Sequence, residues 1–312
     1  MLTLARHAMA TRFELVLHGD DPVRLRAAGE QALDEIDRLE NQLSLYRPQS
    51  EIADLNARAA HEPVKVTPGL FNLLEHAKSL SAQTGGAFDI TVAPLVQCWG
   101  FMQGSGQLPD PALLAEARAK VGMHLVELDQ ARSTVRFQRE GMMLDLGAIG
   151  KGYAVQQAAN LLREAGVTSA LLHGGTSSIY AIGHPPETDT WKVAIENHAD
   201  PTLPPIATIP LKDESLSVSA VWGKFFSSGG RTYGHVLDPR TGEPTSAALL
   251  AAVVVDSATD ADAFSTALLT FGPPGIESLS NARPHVRALV LFDAHGRLCT
   301  NARGIQVEPS EA

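Results

Sequence analysis

Leu144-Asp-Leu-Gly-Ala-Ile-Gly-Lys-Gly-Tyr153 sets the fold: it reads as a strand, a tight glycine turn and Lys151 at the start of a helix running from near Gly152 to Glu164. The first amides of a helix lack intrahelical partners and lie at the positive end of its dipole, so this turn predicts an anion site. Its outline is that of a P-loop. Yet Asp145 stands where a P-loop needs glycine, and Gly152 where it needs Ser or Thr, which disfavours a Walker-type triphosphatase. The bland alternative is a strand-to-helix turn with a solvated lysine.

Downstream of that helix the hydrophobic period changes to that of strands, at Ala170–His173, Ser178–Ile182, Trp191–Glu196, Ile206–Leu211 and Leu249–Val255, with Pro-rich loops at 184–186 and 201–205. Upstream, Thr11–Leu17 alternates as a strand, and Asp20-Asp21-Pro22 opens a helix whose Leu33, Ile36, Leu39 and Leu43 recur at helical spacing. Further helices are predicted over Pro68–Gln83, closed by Gly85-Gly86, and over Pro111–Val121. A helix at Ala261–Thr270 and a strand at Val286–Phe292 close the pattern. The expected fold is α+β: mixed, largely antiparallel sheets with packed helices. It forms one domain, with two lobes, over residues 1–305, and a polar tail over 306–312 that frays from Glu308.

With 312 residues, 44% of them hydrophobic, the chain can bury a large core. Its formal charge of -10 gives little attraction to nucleic acid or anionic lipid, so a polyanionic ligand needs a metal or a few local cations. Cys98 and Cys299 are too few for a disulfide framework and fit buried thiols in a reducing compartment, a single bridge being the alternative. Met1–His7 has no signal-peptide run and no lipid-attachment cysteine, and no stretch approaches the roughly 20 apolar residues of a membrane span. With Met1 as the start, a cytoplasmic protein is expected.

Three further stretches carry chemistry. In Asp256-Ser-Ala-Thr-Asp-Ala-Asp262-Ala-Phe-Ser-Thr266, Asp262 and Thr266 lie four apart on a predicted helix and project from one face, two hard oxygens of the kind Mg²⁺ takes. The EF-hand reading fails on its glycine and twelfth position, and helix capping by Thr259 and Asp260 is the bland alternative. Tyr233-Gly-His235-Val-Leu-Asp238-Pro-Arg240-Thr-Gly242 joins a histidine to a rigid turn, and His235 has the ordinary pKa (~6.5) of a group able to take a hydroxyl proton. A structural loop histidine is the other reading. His173-Gly-Gly-Thr-Ser-Ser178 brings glycine backbone to the end of an apolar strand, for close approach to a ligand or for a β-bulge.

Taken in order, these segments resemble the ApbE family of FAD:protein FMN transferases from Met9 to about Gly272. Met9-Ala-Thr11 is similar to the family's opening Met-Gly-Thr. Leu43-Ser-Leu-Tyr46-Arg-Pro-Gln-Ser50 through Leu55-Asn56 is similar to its serine-rich turn, and Gly85-Gly-Ala-Phe88-Asp89 through Pro94-Leu95 and Trp99-Gly100 to its Gly-x-Phe-Asp, Pro-Leu and Trp-Gly block. The resemblance implies that FAD binds between the lobes and that Mg²⁺ is held by Asp262, Thr266 and the Gly150 carbonyl. It further implies that a threonine hydroxyl of a target flavoprotein attacks, releasing AMP. His235 is then the candidate base. Met9, Tyr46, Phe88, Asp89, Lys151, Gly174, Gly175, Ser219, His235, Asp238, Arg240 and Thr241 are the candidate flavin-nucleotide contacts.

The chain departs from the family pattern at Gln156 (usually Asp), Ala220 (usually Gly), Gly150 (usually Ala) and His173 (commonly Asn or Asp). Gln156 removes a charge and Ala220 adds a methyl where backbone approaches the flavin, which points to altered activity or flavin affinity. Two rival readings follow: a pyrophosphatase splitting FAD into FMN and AMP with water, and a non-catalytic flavin-binding protein. Retention of Asp262, Thr266 and His235 argues against the second.

Overall fold

The computed structural model describes every residue except 103, 105, 198–203 and 308–312. The chain begins with a hairpin of β1 (Leu2–Ala8) and β2 (Thr11–His18), then α1 (Pro22–Leu43), α2 (Glu51–Arg58), β3 (Val64–Lys65) and α3 (Pro68–Gln83). Next come α4 (Ala93–Cys98), α5 (Pro111–Arg118), β4 (Val126–Asp129), β5 (Thr134–Phe137), α6 (Gly150–Glu164), β6 (Ser169–Gly174), β7 (Ser178–Ile182), β8 (Trp191–Ile195) and β9 (Ala207–Leu211). The last stretch holds β10 (Ser215–Ala220), β11 (Phe225–Ser228), β12 (Arg231–Gly234), β13 (Leu250–Val255), α7 (Ala258–Phe271), α8 (Gly275–Ala282), β14 (Arg287–Ala294) and β15 (Arg297–Arg303).

Eight strands form one sheet in the order β1-β2-β6-β7-β10-β13-β14-β15, every neighbouring pair antiparallel. The mixed, antiparallel α+β expectation therefore holds. Side chains of a strand alternate between faces, and β13 shows that both faces are covered. Ala251 and Val253 join the main core with α1, α6 and α7, while Leu250, Ala252 and Val254 pack under the β8–β9 hairpin with Trp191, Ile209 and Leu211. A third cluster, Leu95, Trp99, Phe101, Ala117 and Leu237, gathers α4 and α5 beside the β11–β12 hairpin.

The helix ends follow their sequence signals. Asp21 caps α1, its Oδ1 accepting from the Val23 and Arg24 amides at 3.0 Å, with Pro22 in the first turn. Gly85 and Gly86 take left-handed backbone after α3, and the Gly86 amide donates to Ser81 O at 2.8 Å. Alpha5 stops at Arg118 rather than Val121, and α6 begins two residues earlier than the glycines suggest, at Gly150. The cap of α7 is Ser257, which accepts from the Asp260 amide at 3.2 Å, so Thr259 and Asp260 lie inside the helix.

The strand expected at Leu144 is absent. Leu144 pairs with a side chain instead, for the Asn56 carboxamide accepts from the Leu144 amide at 2.8 Å and donates to Leu144 O at 3.0 Å, while the Asp145 amide donates to Ile90 O at 2.7 Å. A carboxamide reproduces one ladder rung and ends there. His173-Gly-Gly-Thr-Ser-Ser178 is a hairpin turn between β6 and β7, with Gly174 paired to Ser178, rather than a bulge. Cys98 and Cys299 are both free thiols, and both are partly exposed rather than buried. Among the described residues no helix is long and apolar enough to cross a membrane. The frayed tail expected from Glu308 and most of the 201–205 loop lie outside the described residues.

Candidate active site

Between the α6–α7 end of the main sheet and the third cluster lies a cavity of about 600 Å³, within the range of about 300–1,000 Å³ of small-molecule sites. Its floor is the end of β10 and the face of α7 beneath it, through Val218, Ser219, Ala220, Asp262 and Thr266. Phe88, Asp89, Val92 and Val96 also line the cavity, as do Tyr46, Lys151, Trp222, Lys224 and His235.

The α6 N-terminus is placed by glycine. A Cβ on Gly152 would collide with the Ala258 carbonyl oxygen and lie 2.6 Å from Asp262 Cβ, so only glycine lets α6 and α7 meet this closely. The Gly152 amide then donates to Asp262 Oδ2 at 2.8 Å, and Ser217 Oγ lies 3.2 Å from Oδ1. The helix N-terminus does hold an anion, but the anion is the carboxylate of its own chain. Asp262 is 4% exposed and faces the cavity, as does Thr266 one turn on. Both present hard oxygens, the donor chemistry of a site for a small divalent cation, with Gly150 in the adjoining first turn of α6. Among the described residues no group of three or more His, Cys, Asp or Glu could hold a metal, so any such site draws on hydroxyl and carbonyl oxygen beside one carboxylate.

Gln156 explains its own departure. Its Oε1 accepts from the Ala258 amide at 2.9 Å, at the start of α7. An amide oxygen serves that amide without a charge. At Gly150 a Cβ would meet nothing closer than Leu146 Cβ at 3.8 Å, so alanine and glycine fit alike.

His235 lines the same cavity. Its Nδ1 is 3.2 Å from Lys224 O, and because a carbonyl only accepts, the neutral ring carries its proton on Nδ1 and its lone pair on Nε2. Burial lowers its pKa from the ordinary value, helped by the charges of Lys224 and Lys151 and opposed by the bond to Lys224 O. Gly223 packs on the ring, since a Cβ there would collide with Cε1 and lie 3.0 Å from Nδ1.

Asp145, which the sequence reading used only to reject a P-loop, lines the cavity beside Lys151. It shapes the turn by accepting from the Gly147 amide at 2.8 Å. Burial raises its carboxyl pKa, against the pull of that amide and the charge of Lys151. The carboxylate two residues before a glycine was the signal for this turn. Trp222, Lys224, Thr176 and Ser177 also line the cavity, without a distinguishing motif.

Of the expected contacts, Tyr46, Phe88, Asp89, Lys151, Ser219, His235, Asp262 and Thr266 come together at this cavity. Asp89 lines the cavity and also braces its surroundings. Its Oδ1 accepts from the Thr91 amide and hydroxyl at 2.8 and 2.6 Å, and its Oδ2 from the Met123 amide at 3.0 Å and Ser81 Oγ at 3.3 Å. Met9 sits in the β1–β2 turn, where it and Ala10 have φ of 48° and 57°, and packs against the main core instead of lining the cavity. Gly174 and Gly175 are glycines because of β2: a Cβ on Gly174 would lie 2.7 Å from Phe13 Cε1, and one on Gly175 would strike Thr11 Oγ1.

Asp238, Arg240 and Thr241 form a self-bonded turn outside the cavity lining. Arg240 donates Nε and Nη2 to the two oxygens of Asp238 at 2.9 and 2.8 Å, and its guanidinium stacks over Phe271. The Thr241 amide donates to Asp238 O at 3.2 Å. Trp99 Nε1 donates to Gly242 O at 2.8 Å, tying that turn to the third cluster, while Leu237 and Pro239 face the cavity.

These features define an α+β protein with a cleft of mixed polar and apolar lining, in which Asp262 and Thr266 of α7 and the His235 ring line the same cavity. The chain belongs to the ApbE family, whose family model matches residues 9–290. It is 31% identical over 282 residues to the FAD:protein FMN transferase of Treponema pallidum (strain Nichols), covering 86% of this chain and 78% of that protein. It is 30% identical over 273 residues to the FAD:protein FMN transferase of Klebsiella pneumoniae (strain 342), covering 85% and 77%. The crystal structure of Pseudomonas stutzeri flavinyl transferase ApbE in its apo form superposes with a TM-score of 0.85 at 28% identity, covering 97% of this chain and 94% of that one.

Proposed function

We propose that this protein is a transferase that moves FMN from FAD onto a threonine hydroxyl of an acceptor protein and releases AMP. The observation that carries the proposal is the cleft itself, where the Asp262 and Thr266 oxygens and the His235 ring face one cavity in a chain of the ApbE family. Asp262, Thr266 and the Gly150 carbonyl would hold Mg²⁺, which when bound supplies charge neutralisation on the pyrophosphate.

The remaining work falls to the chain. The threonine oxygen forms a bond to the FMN phosphorus while the bond to the AMP oxygen breaks, and AMP leaves with that electron pair. Nε2 of His235 takes the hydroxyl proton, for which its lowered pKa keeps it neutral near pH 7. Lys151 in the cavity lining adds positive charge to the phosphates, and Phe88 and Tyr46 offer apolar surface to the flavin. Phosphoryl transfer of this kind needs alignment and charge stabilisation more than a covalent catalyst.

The test is incubation of the pure protein with FAD and MgCl₂, with and without a threonine-bearing acceptor domain, read by intact mass and AMP release. An acceptor gaining the mass of FMN with one AMP released is the expected result. AMP without acceptor modification would make the protein a pyrophosphatase, and neither product would make it a flavin binder. Asp262→Ala should abolish transfer, and unchanged rates in that variant would remove the metal assignment.

A further inference from the structure

The two oxygen donors of α7 are joined by an unbroken run of hydroxyls. Thr266 Oγ1 lies 3.2 Å from Ser219 Oγ, which lies 2.8 Å from Ser265 Oγ. Ser265 Oγ lies 3.2 Å from Ser217 Oγ, which in turn lies 3.2 Å from Asp262 Oδ1. The run alternates between layers, with Ser217 and Ser219 on the helix-facing side of β10 and Ser265 and Thr266 on α7. Ser217 and Ser265 are both 0% exposed, so water does not compete for their protons.

A hydroxyl has one proton, and the groups at the inner end fix its direction. The proton of Ser265 has three oxygens in reach, Ser219 Oγ at 2.8 Å, the main-chain oxygen of Asp262 at 2.9 Å and Ser217 Oγ at 3.2 Å, and of these only the carbonyl cannot donate in return. The proton of Ser217 has the Ser177 carbonyl at 3.0 Å and the Asp262 carboxylate. Carbonyls and carboxylates only accept, so both protons point inward. The lone pair of Ser265 is what remains to meet Ser219, so Ser219 donates to it. The lone pair of Ser219 then meets Thr266, so Thr266 donates to Ser219 and turns its own lone pairs to the cleft.

We propose that Ser219 and Ser265 are positioning residues that draw the Thr266 proton away from the cleft, making Thr266 a cation ligand and not a hydrogen-bond donor to phosphate. The inference rests on the metal site of the proposed function. Neither serine bears a charge; each acts by fixing where one proton lies. Partners of this outer kind are commonly worth about 10–100-fold in metal affinity.

The test is calorimetric titration of MgCl₂ into the whole protein with ADP present, a diphosphate without a flavin to transfer. Wild type binds, and Ser219→Ala and Ser265→Ala each weaken binding roughly tenfold or more. Ser219→Thr, which keeps the hydroxyl, retains wild-type affinity. The double alanine variant is no weaker than the weaker single one, because either change breaks the same run. Ser280→Ala on α8, a buried serine bonded to Ile276 O, leaves affinity unchanged. Should Ser265→Ala fail to fold, Ser219→Ala on the cavity wall carries the test. Magnesium binding equal to wild type in both alanine variants would overturn the positioning role and leave the metal site standing. No magnesium binding by wild type would overturn the metal site, and this inference with it.

Discussion

The Gly152 amide and the Asp262 carboxylate, 110 residues apart in sequence, are joined by a hydrogen bond of 2.8 Å that fastens the first turn of α6 to the face of α7. That bond exists because residue 152 has no side chain. Gly152→Ala should therefore push the helices apart, destabilising the protein by about 1–3 kcal/mol as overpacking does. The same shift should weaken magnesium binding. Denaturant unfolding and the calorimetric titration check both, and a variant as stable as wild type would show that the helices adjust freely.

Asp89 separates scaffold from contact. With four hydrogen bonds converging on one buried carboxylate, Asp89→Ala leaves donors of Thr91, Met123 and Ser81 without their acceptor. The expected loss is roughly 3 kcal/mol of stability, with the FAD affinity of the remaining folded protein little changed. A large loss of FAD affinity at unchanged stability would make Asp89 a ligand contact after all.

His235 should control the acid limb of the reaction. In the proposed reaction its neutral form accepts the proton, so protonation at low pH would inactivate it. Because burial lowers its pKa, kcat/KM should hold through neutrality and fall only below the ordinary histidine value of about 6.5. His235→Ala should slow threonine modification, abolish that limb and spare FAD binding. A pH profile of wild type against the variant decides it, and an identical limb in both would assign the titration to another group.

Gly223 supports the ring from behind. Gly223→Ala should displace the imidazole and slow transfer on the order of tenfold to a hundredfold, as small misplacements of reacting groups do. Melting temperature and FAD affinity should stay near wild type. Transfer at the wild-type rate would mean that the ring can move without penalty.

Much of this was legible in the sequence, and the gaps have physical causes. The spacing of Asp262 and Thr266 identified a shared helix face, because helical neighbours four apart are set by geometry alone. Ser219 stood among the candidate contacts, but its link to Ser217 and Ser265 could not be read, since which residues of β10 face α7 depends on register across the sheet. Beta10 itself went unread. Its Ser-Leu-Ser-Val-Ser-Ala alternation is polar toward the helices, where a buried strand is expected to be apolar. Gly174 and Gly175 carry two readings in the sequence, close approach to a ligand or a β-bulge, and the contacts that the structure shows for them are with Phe13 and Thr11 of the neighbouring strand. A glycine in sequence declares that something comes close without declaring what.

The walls of the cleft differ in how they are held. Beta10 is paired on both sides within the eight-stranded sheet, whereas among the described residues β11 and β12 pair only with each other. Amide protons of the β10 floor should thus exchange with solvent only on global opening, and those of the β11–β12 hairpin through local opening. Under the proposed function, the phosphates would rest on a firmly paired floor at β10, beside a hairpin held only by its own two strands and followed in the chain by His235.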